Sequence, residues 1–226
     1  MQNVTRDDLI KCLRRQDITD ANIIGNARQP GDNFIDEHNT YTWYFAIGAA
    51  KRPQRILELG VRYGYALIAM GKGALEFNTP NLQLIGIDAE ADGILSNGIA
   101  YKNIINEICS IQTHTVDKAA EPLCPHSIFR ENTRNIDAVN ASLRTIDGKY
   151  DIVHVDADHS PDGIRAELTI ARDWIAADGW ILIDDIDTQH VKDIADDFCR
   201  NYDIIPLHIP TFHGMYLCNM AYRKEI

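Results

Sequence analysis

The feature of the sequence that most constrains its fold is the stretch at residues 55–64, which reads RILELGVRYG. Its first five residues have the apolar content of a short strand that is covered on both faces of a sheet. The two glycines that follow let the backbone come close to a neighbouring group. Because α/β proteins place ligand pockets at the carboxyl ends of their strands, a strand that runs through a glycine turn into a helix predicts a nucleotide-type pocket.

The rest of the chain alternates between predicted strands and predicted helices. Strands are expected at residues 55–59, 82–88, 127–130, 150–156, 180–184, 204–208 and 214–222. Helices are expected to begin near Thr5 and Ser160 and to cover about residues 34–50, 65–76, 93–112, 136–144 and 188–200, whereas residues 112–126 are expected to form a loop over the pocket. This order predicts a doubly wound α/β fold with a mostly parallel seven-stranded sheet, an antiparallel C-terminal edge hairpin and N-terminal helices. We expect residues 1–50 to form a helical cap and residues 51–226 to form the domain that holds the pocket.

Charge and cysteine usage disfavour several classes of function. The chain has 226 residues and a formal net charge of −11, which disfavours non-specific binding to nucleic acid or to an anionic membrane. Its five cysteines are widely spaced and indicate free thiols in a reducing compartment. We find no signal-peptide pattern and no apolar run of the ~20 residues that cross a bilayer. A cytoplasmic protein with a small-molecule substrate and no nucleic-acid or membrane partner is therefore expected, with homo-oligomer formation left open.

Two cofactor classes compete for the glycine turn. A dinucleotide dehydrogenase carries Gly-x-Gly-x-x-Gly, whereas this turn has Gly60 and Gly64 separated by three residues. Glu58 stands two residues before the first glycine, and a carboxylate there repels a pyrophosphate and suits a cationic ligand. Asp88 ends the second strand, where an acid accepts hydrogen bonds from ribose hydroxyls in either class, so it does not discriminate between them.

The run ILELG followed by three residues and Gly64 resembles the first motif of class I S-adenosylmethionine-dependent methyltransferases. Their cofactor carries a cationic sulfonium and an amino group, and it has no phosphate. The resemblance implies that Asp88 binds the ribose hydroxyls and that Asn132 and Thr133, which follow the third strand, contact the adenine. The full set of implied cofactor-binding residues is Glu58, Gly60, Tyr63, Gly64, Asp88, Asn132, Thr133 and Asp156.

A second informative feature is a pair of acidic groups, VDADHS at residues 155–160 and IDD at residues 183–185. Both follow predicted neighbouring parallel strands, so their side chains are expected to face one crevice. Carboxylates that converge need a cation, because like charges raise one another's pKa. Oxygen ligands of this kind suit Mg²⁺, with Mn²⁺ as a substitute.

This pairing resembles the metal-dependent O-methyltransferases. Asp156 and Asp184 match aspartates that end the fourth and fifth strands in the catechol and caffeoyl-CoA branch. Asp185 and His159 depart from that branch and are similar to the macrolide and sugar O-methyltransferases and their relatives in cephalosporin biosynthesis. The resemblance implies metal binding by Asp156, Asp184 and Asp185, with His159 as the general base. It implies a Mg²⁺-dependent enzyme of secondary metabolism that methylates a small-molecule hydroxyl next to a second oxygen.

Other interpretations stay open at this point. Within the class, the acceptor is alternatively a catechol-type phenol. Outside it, an NAD-dependent oxidoreductase is disfavoured by the missing third glycine, and a non-catalytic S-adenosylmethionine-binding protein is disfavoured by the intact acidic set. Structural roles are also available, since Asp158 and Asp185 stand where they cap helices and His159 stands at a helix start.

Overall fold

The computed structural model describes residues 4–13, 18–27, 39–76, 79, 81–89, 102–109, 126–146 and 148–222. The α-helices are α1 (Arg6–Cys12), α2 (Asp20–Ile24), α3 (Thr40–Lys51), α4 (Tyr65–Leu75), α5 (Ile136–Arg144), α6 (Pro161–Trp174) and α7 (Gln189–Asn201). The strands are β1 (Arg55–Leu59), β2 (Gln83–Asp88), β3 (His126–Arg130), β4 (Tyr150–Val155), β5 (Ile175–Ile183), β6 (Leu207–Ile209) and β7 (Met215–Asn219). A π-helical segment covers Ile105–Cys109.

The seven strands form one sheet in the order β3-β2-β1-β4-β5-β7-β6. Strands β1 to β5 pair in parallel, whereas β7 runs antiparallel to both β5 and β6. This arrangement confirms the predicted doubly wound fold with an antiparallel edge hairpin. The strand order reverses between β1 and β4, and the carboxyl ends of these two strands are where such a sheet opens a crevice.

Apolar layers cover both faces of the sheet. In one layer, α1 to α4 pack on one face of the sheet. In the other layer, α5, α6 and α7 pack on the opposite face. This double cover explains why the inner strands read as continuous apolar runs in the sequence. Among the described residues, no helix has both the length and the apolar composition that a membrane crossing requires.

Helices α3 and α4 cross at two glycines. A Cβ atom at Gly48 would lie 2.0 Å from the carbonyl oxygen of Met70, and one at Gly73 would lie 2.0 Å from the carbonyl oxygen of Phe45. The helices therefore touch backbone to backbone, which no larger residue permits at these positions. The contact holds α3 close to the sheet, so that Tyr44 reaches the carboxyl ends of the strands.

Most element boundaries agree with the predicted ones, and one difference has a clear cause. Strand β5 begins at Ile175 and not near residue 180, because its first residue pairs with Tyr150 before the register shifts to the pairing of Ile152 with Trp180. The helix predicted at residues 93–112 is described only over residues 102–109, where the chain is helical. The predicted loop at residues 112–126 and the start of the helix at 34–50 lie outside the described residues, apart from His126 in β3.

Candidate active site

A cavity of about 500 Å³ opens at the carboxyl ends of β1, β4 and β5. Its volume is typical of a small-molecule site. The walls come from the glycine turn, the first turns of α3 and α4, the residues after β4 and β5, and the loop between β6 and β7. The predicted residues that line it are Glu58, Gly60, Tyr63, Asp156, His159, Asp184 and Asp185.

The glycine turn brings β1 against the end of β4. Gly60 has φ = +91°, and a Cβ atom there would lie 2.1 Å from the carbonyl oxygen of Asp156. Gly64 has φ = +78° and forms the N-cap of α4. Only glycine adopts the Gly60 geometry at no cost, so the turn fixes the distance between the first predicted motif and the acidic group after β4.

Four predicted residues are not among those that line the cavity: Gly64, Asp88, Asn132 and Thr133. The Asp88 carboxylate accepts hydrogen bonds from the backbone N–H groups of Val61 at 3.0 Å and Arg62 at 2.8 Å. The Asn132 side chain accepts one from the Arg134 N–H, and the buried Thr133 hydroxyl donates to Glu167 at 2.8 Å. These side chains hold turns in place, and their roles toward a cofactor stay predictions.

One side of the cavity, here called the rim, carries the partly exposed Asp156 and His159 together with Asp185, whose side chain is largely buried. The His159 Nε2 atom lies 2.7 Å from Asp185 Oδ2 and 3.4 Å from Asp156 Oδ1. The hydrogen bonds with Asp156 and Asp185 raise the pKa of His159 to about 10. An imidazolium therefore stands between two carboxylates, which is a position that favours positive charge.

Asp185 itself adopts an uncommon backbone conformation. Its φ of +57° lies in the left-handed region, which aspartate tolerates better than most residues. Burial raises the pKa of its carboxyl, but the hydrogen bond with His159 and the charges of His159, His213 and His154 outweigh burial and lower it. Its carboxylate therefore stays ionised at the rim.

The buried part of the cavity, here called the floor, is a chain of four hydrogen-bonded side chains. Glu58 Oε1 lies 2.9 Å from His154 Nδ1, and His154 Nε2 lies 2.9 Å from the Tyr44 hydroxyl. The Tyr44 hydroxyl donates to Asp184 Oδ2 at 2.6 Å. The side chains of Glu58, His154 and Tyr44 are all at least 98% buried. These hydrogen bonds therefore link Glu58 in β1 to Asp184, the first residue after β5.

The floor groups perturb one another's ionisation. Burial raises the pKa of Glu58 to about 7, although His154 partly opposes it. Burial lowers the pKa of His154, but the hydrogen bond and charge of Glu58 and the charges of Asp156 and Asp184 raise it to about 9. Burial and the charge of Asp156 raise the pKa of Asp184 to about 6. Shifted ionisation of this kind, in a cleft, is typical of a functional site.

The loop between β4 and α6 is held in place by hydrogen bonds to Glu167. This fully buried carboxylate accepts hydrogen bonds from the N–H groups of Asp158 at 2.7 Å and Ala157 at 3.3 Å. Asp158 pairs with Arg134 and accepts a hydrogen bond from the Ser160 N–H at 3.0 Å, so it serves the start of α6, as one interpretation of the sequence expected. The hydrogen bonds to Glu167 fix the loop that carries His159.

Comparison with known proteins decides the family. Residues 57–186 match the profile of a family described as a methyltransferase domain, which is more than half of the chain. The chain belongs to this methyltransferase family. No curated protein matches the chain in sequence.

Solved structures share the fold of this methyltransferase at low sequence identity. The Podospora anserina methyltransferase PaMTH1, solved with S-adenosylhomocysteine (SAH), is 15% identical with a TM-score of 0.61, over 100% of this chain and 99% of that one. The Streptomyces achromogenes O-methyltransferase TomG of tomaymycin synthesis, solved with S-adenosylmethionine, is 15% identical with a TM-score of 0.64, over 95% and 96%. An O-methyltransferase from Bacillus cereus, solved with SAH, is 12% identical with a TM-score of 0.58, over 96% and 91%. The predicted resemblance to class I methyltransferases is confirmed.

The acidic residues of this methyltransferase offer ligand atoms to a cation in overlapping groups. The ligand atoms of Asp156 and Asp184 lie within 4.8 Å of each other together with His154, and those of Asp156 and Asp185 do so together with His159. A third group joins Asp185 with Asp187 and His213. In the part of the chain that is described, no one group contains all three predicted aspartates by this distance. Each of these groups offers two carboxylate oxygens and one histidine nitrogen. The carboxylate oxygens, at a partly open site, fit Mg²⁺ or Mn²⁺.

Sequence reasoning missed Tyr44 and His154. His154 is the one strongly polar side chain in the inner part of β4, between Val153 and Val155, and a polar residue at a buried strand position is a signal in itself. Its pairing opposite Glu58 depends on the register of β1 and β4, which the sequence does not state. Nothing in the α3 sequence separates Tyr44 from Tyr41, the other tyrosine of that helix.

Proposed function

We propose that this methyltransferase transfers a methyl group from S-adenosylmethionine to a hydroxyl of a small molecule, with Mg²⁺ or Mn²⁺ bound at the acidic residues and His159 as the general base. One observation carries the proposal: His159 stands between Asp156 and Asp185 at the rim of the cavity that the glycine turn closes. A histidine beside paired carboxylates joins the two parts that deprotonation of a hydroxyl requires, a proton acceptor and a cation site.

The floor supports a cationic methyl donor. Glu58 Oε2 is buried and has no hydrogen-bond partner among the described residues, although its residue lines the cavity. A buried carboxylate oxygen without a partner is costly, and an ammonium group of a ligand removes that cost. The resemblance to class I methyltransferases implies that the glycine turn and Asp88 would bind the rest of this cofactor. The structures of PaMTH1, TomG and the Bacillus cereus enzyme with S-adenosylmethionine or its product support the same donor.

Asp156, Asp184 and Asp185 would hold the metal ion. When bound, the ion polarises the acceptor oxygens and offsets the negative charge that now keeps His159 protonated. His159 takes the proton of the acceptor hydroxyl at Nε2, the atom that faces both rim carboxylates. The cavity walls hold donor and acceptor together, and such positioning supplies much of the rate of a methyl transfer.

The acceptor enters from the side of the β6–β7 loop. Phe212 and His213 line the cavity there, with ring centroids 4.2 Å apart, and the Phe212 side chain is partly exposed. An aromatic edge of this kind suits the apolar face of a small ring. The aspartate at 185 and the histidine at 159 favour a sugar-type or natural-product hydroxyl over a catechol, by analogy with the branch that shares them. We place the enzyme in cytoplasmic secondary metabolism, with residues 1–50 as a cap on the catalytic domain at 51–226.

Methyl transfer with S-adenosylmethionine labelled in its methyl group tests the proposal. We expect label in sugars or polyols with neighbouring hydroxyls, loss of transfer in EDTA, and recovery when Mg²⁺ is added in excess. A rate that is indifferent to the chelator removes the metal from the proposal. Label found in catechols alone moves the acceptor to the phenol class.

Calorimetric titration separates the remaining alternatives. We expect heat from S-adenosylmethionine and none from NAD, and tight NAD binding without S-adenosylmethionine binding would replace the proposal by an oxidoreductase. A protein that binds the methyl donor and Mn²⁺ but modifies no acceptor of a broad panel would support a non-catalytic role.

A further inference from the structure

Two floor residues, Tyr44 and His154, have no part in the proposed reaction. Each is buried, and each bridges two partners that belong to different parts of the site. The Tyr44 hydroxyl carries a single proton and donates it to Asp184, so its oxygen accepts the Nε2–H of His154. The other nitrogen of His154 faces Glu58. Every polar atom of these two side chains is thus used inside the chain of four.

The hydrogen bond from Tyr44 determines how the Asp184 carboxylate is turned. With Oδ2 bound by Tyr44, Oδ1 accepts hydrogen bonds from the Asp185 N–H at 3.0 Å and from the Thr211 hydroxyl at 3.4 Å. Rotation of the carboxylate would break contacts on both oxygens. Burial of Tyr44 keeps water from replacing its hydroxyl, so the contact at Oδ2 depends on this one side chain.

We propose that Tyr44 and His154 are positioning residues: Tyr44 holds Asp184 in the orientation that a divalent cation requires, and His154 ties that contact to Glu58. The inference rests on the proposed function, because it assumes a cation at Asp184. Partners of this kind around metal ligands typically change metal affinity 10–100-fold. Neither residue touches the donor or the acceptor in this assignment.

Binding of Mn²⁺ to the full chain tests the proposal. Calorimetry and the electron paramagnetic resonance signal of free Mn²⁺ both measure this binding. For Tyr44→Phe we expect the Kd for Mn²⁺ to rise about 10–100-fold and the Kd for SAH to stay within threefold of the wild-type value. The matched control is Tyr150→Phe, which removes the hydroxyl of another fully buried tyrosine, on β4 against Trp174. It is expected to leave both constants unchanged.

A second variant examines the link through the histidine. In His154→Asn the amide nitrogen takes the place of Nδ1 and keeps the contact with Glu58, whereas nothing replaces Nε2 beside Tyr44. We expect weaker Mn²⁺ binding, and we expect the double variant with Tyr44→Phe to bind Mn²⁺ no worse than Tyr44→Phe alone, because both changes break one chain. Two purely structural losses would instead add.

The outcomes separate this inference from the proposed function. Wild-type protein that binds no Mn²⁺ overturns both. Wild-type binding with a Tyr44→Phe constant within twofold of it overturns the positioning role alone. Should Tyr44→Phe fail to fold, His154→Asn decides the question, and an unchanged Mn²⁺ constant in that variant counts against the proposal.

Discussion

The floor and the rim of the cavity contain the same kinds of side chain, and the histidine of each differs in its exposure to solvent. On the floor, His154 is fully buried and both of its nitrogens have fixed partners. At the rim, the His159 side chain is 48% exposed and turns one nitrogen toward two carboxylates. Burial thus makes His154 part of the framework. Because His159 is partly exposed, we propose that it exchanges its proton with a ligand.

The comparison also shows why a raised pKa alone does not identify a catalytic base. Hydrogen bonds to carboxylates raise the pKa of His159 to about 10, and the same kind of contact, against the effect of burial, raises that of His154 to about 9. Of these two histidines, only His159 lines the cavity. Access to the cavity, together with the raised pKa, is why we propose His159 as the base.

The largest effect is expected where floor and rim meet. Asp184→Ala removes a proposed metal ligand and the acceptor of the Tyr44 hydroxyl, so we expect loss of measurable Mn²⁺ binding and of methyl transfer, with SAH affinity within threefold of wild type. Calorimetry measures both constants. Asp193→Ala, at an exposed aspartate on α7 that does not line the cavity, is the control and should keep both. Mn²⁺ binding that survives in Asp184→Ala would place the metal elsewhere.

The next effect isolates the rim. We expect His159→Gln to lower kcat by about 10²–10⁴, the usual contribution of a general base, with little change in the Kd for SAH. His208→Gln, an exposed histidine on β6, serves as the control. A normal rate in His159→Gln would show that the base lies elsewhere.

A smaller effect isolates the floor. Glu58→Gln replaces the charged partner of a ligand ammonium by a neutral one, and hydrogen bonds to charged groups contribute about 1.5–3 kcal/mol. We therefore expect SAH binding to weaken roughly 10–150-fold. Glu107→Gln is the matched control, because Glu107 is also buried and pairs with Lys72 at 2.6 Å. Equal losses in both variants would make the effect one of general stability.

The smallest effect concerns stability against pH in the metal-free protein. The folded-state pKa of His159 is raised from the ordinary 6.5 to about 10. Its pairing therefore adds fully to the free energy of unfolding below pH 6.5, and the contribution disappears as the pH rises toward 10. Urea unfolding in EDTA measures this contribution, as the difference in the free energy of unfolding between wild type and His159→Gln across this pH range. A difference that grows with pH has the wrong sign for this explanation.

Much of the frame could be predicted because local patterns specify it. The apolar run at Arg55–Leu59, the Ser160 N-cap followed by Pro161 and the final hairpin all appear as expected. The early start of β5 at Ile175 could not be predicted, because its pairing with Tyr150 overrides the turn signal at residues 178–179. A strand partner that is distant in sequence outweighs a local preference.

The site divides in the same way. The acids at 156, 184 and 185 could be placed in one crevice because parallel strands end on one side of a sheet. The hydrogen-bonded series through Tyr44 and His154 could not be predicted. It depends on the register of Glu58 against His154 and on the close crossing of α3 on α4.

The sequence by itself determined the order of strands and helices, the glycine turn at Gly60 and the acids that face it, because hydrophobic period and residue type act locally. Only the tertiary structure decided which of two histidines is buried and which is exposed. Burial depends on contacts between segments about a hundred residues apart, such as those of Tyr44 with His154 and Asp184. That difference in burial separates the framework of the site from the residues that we propose carry its chemistry.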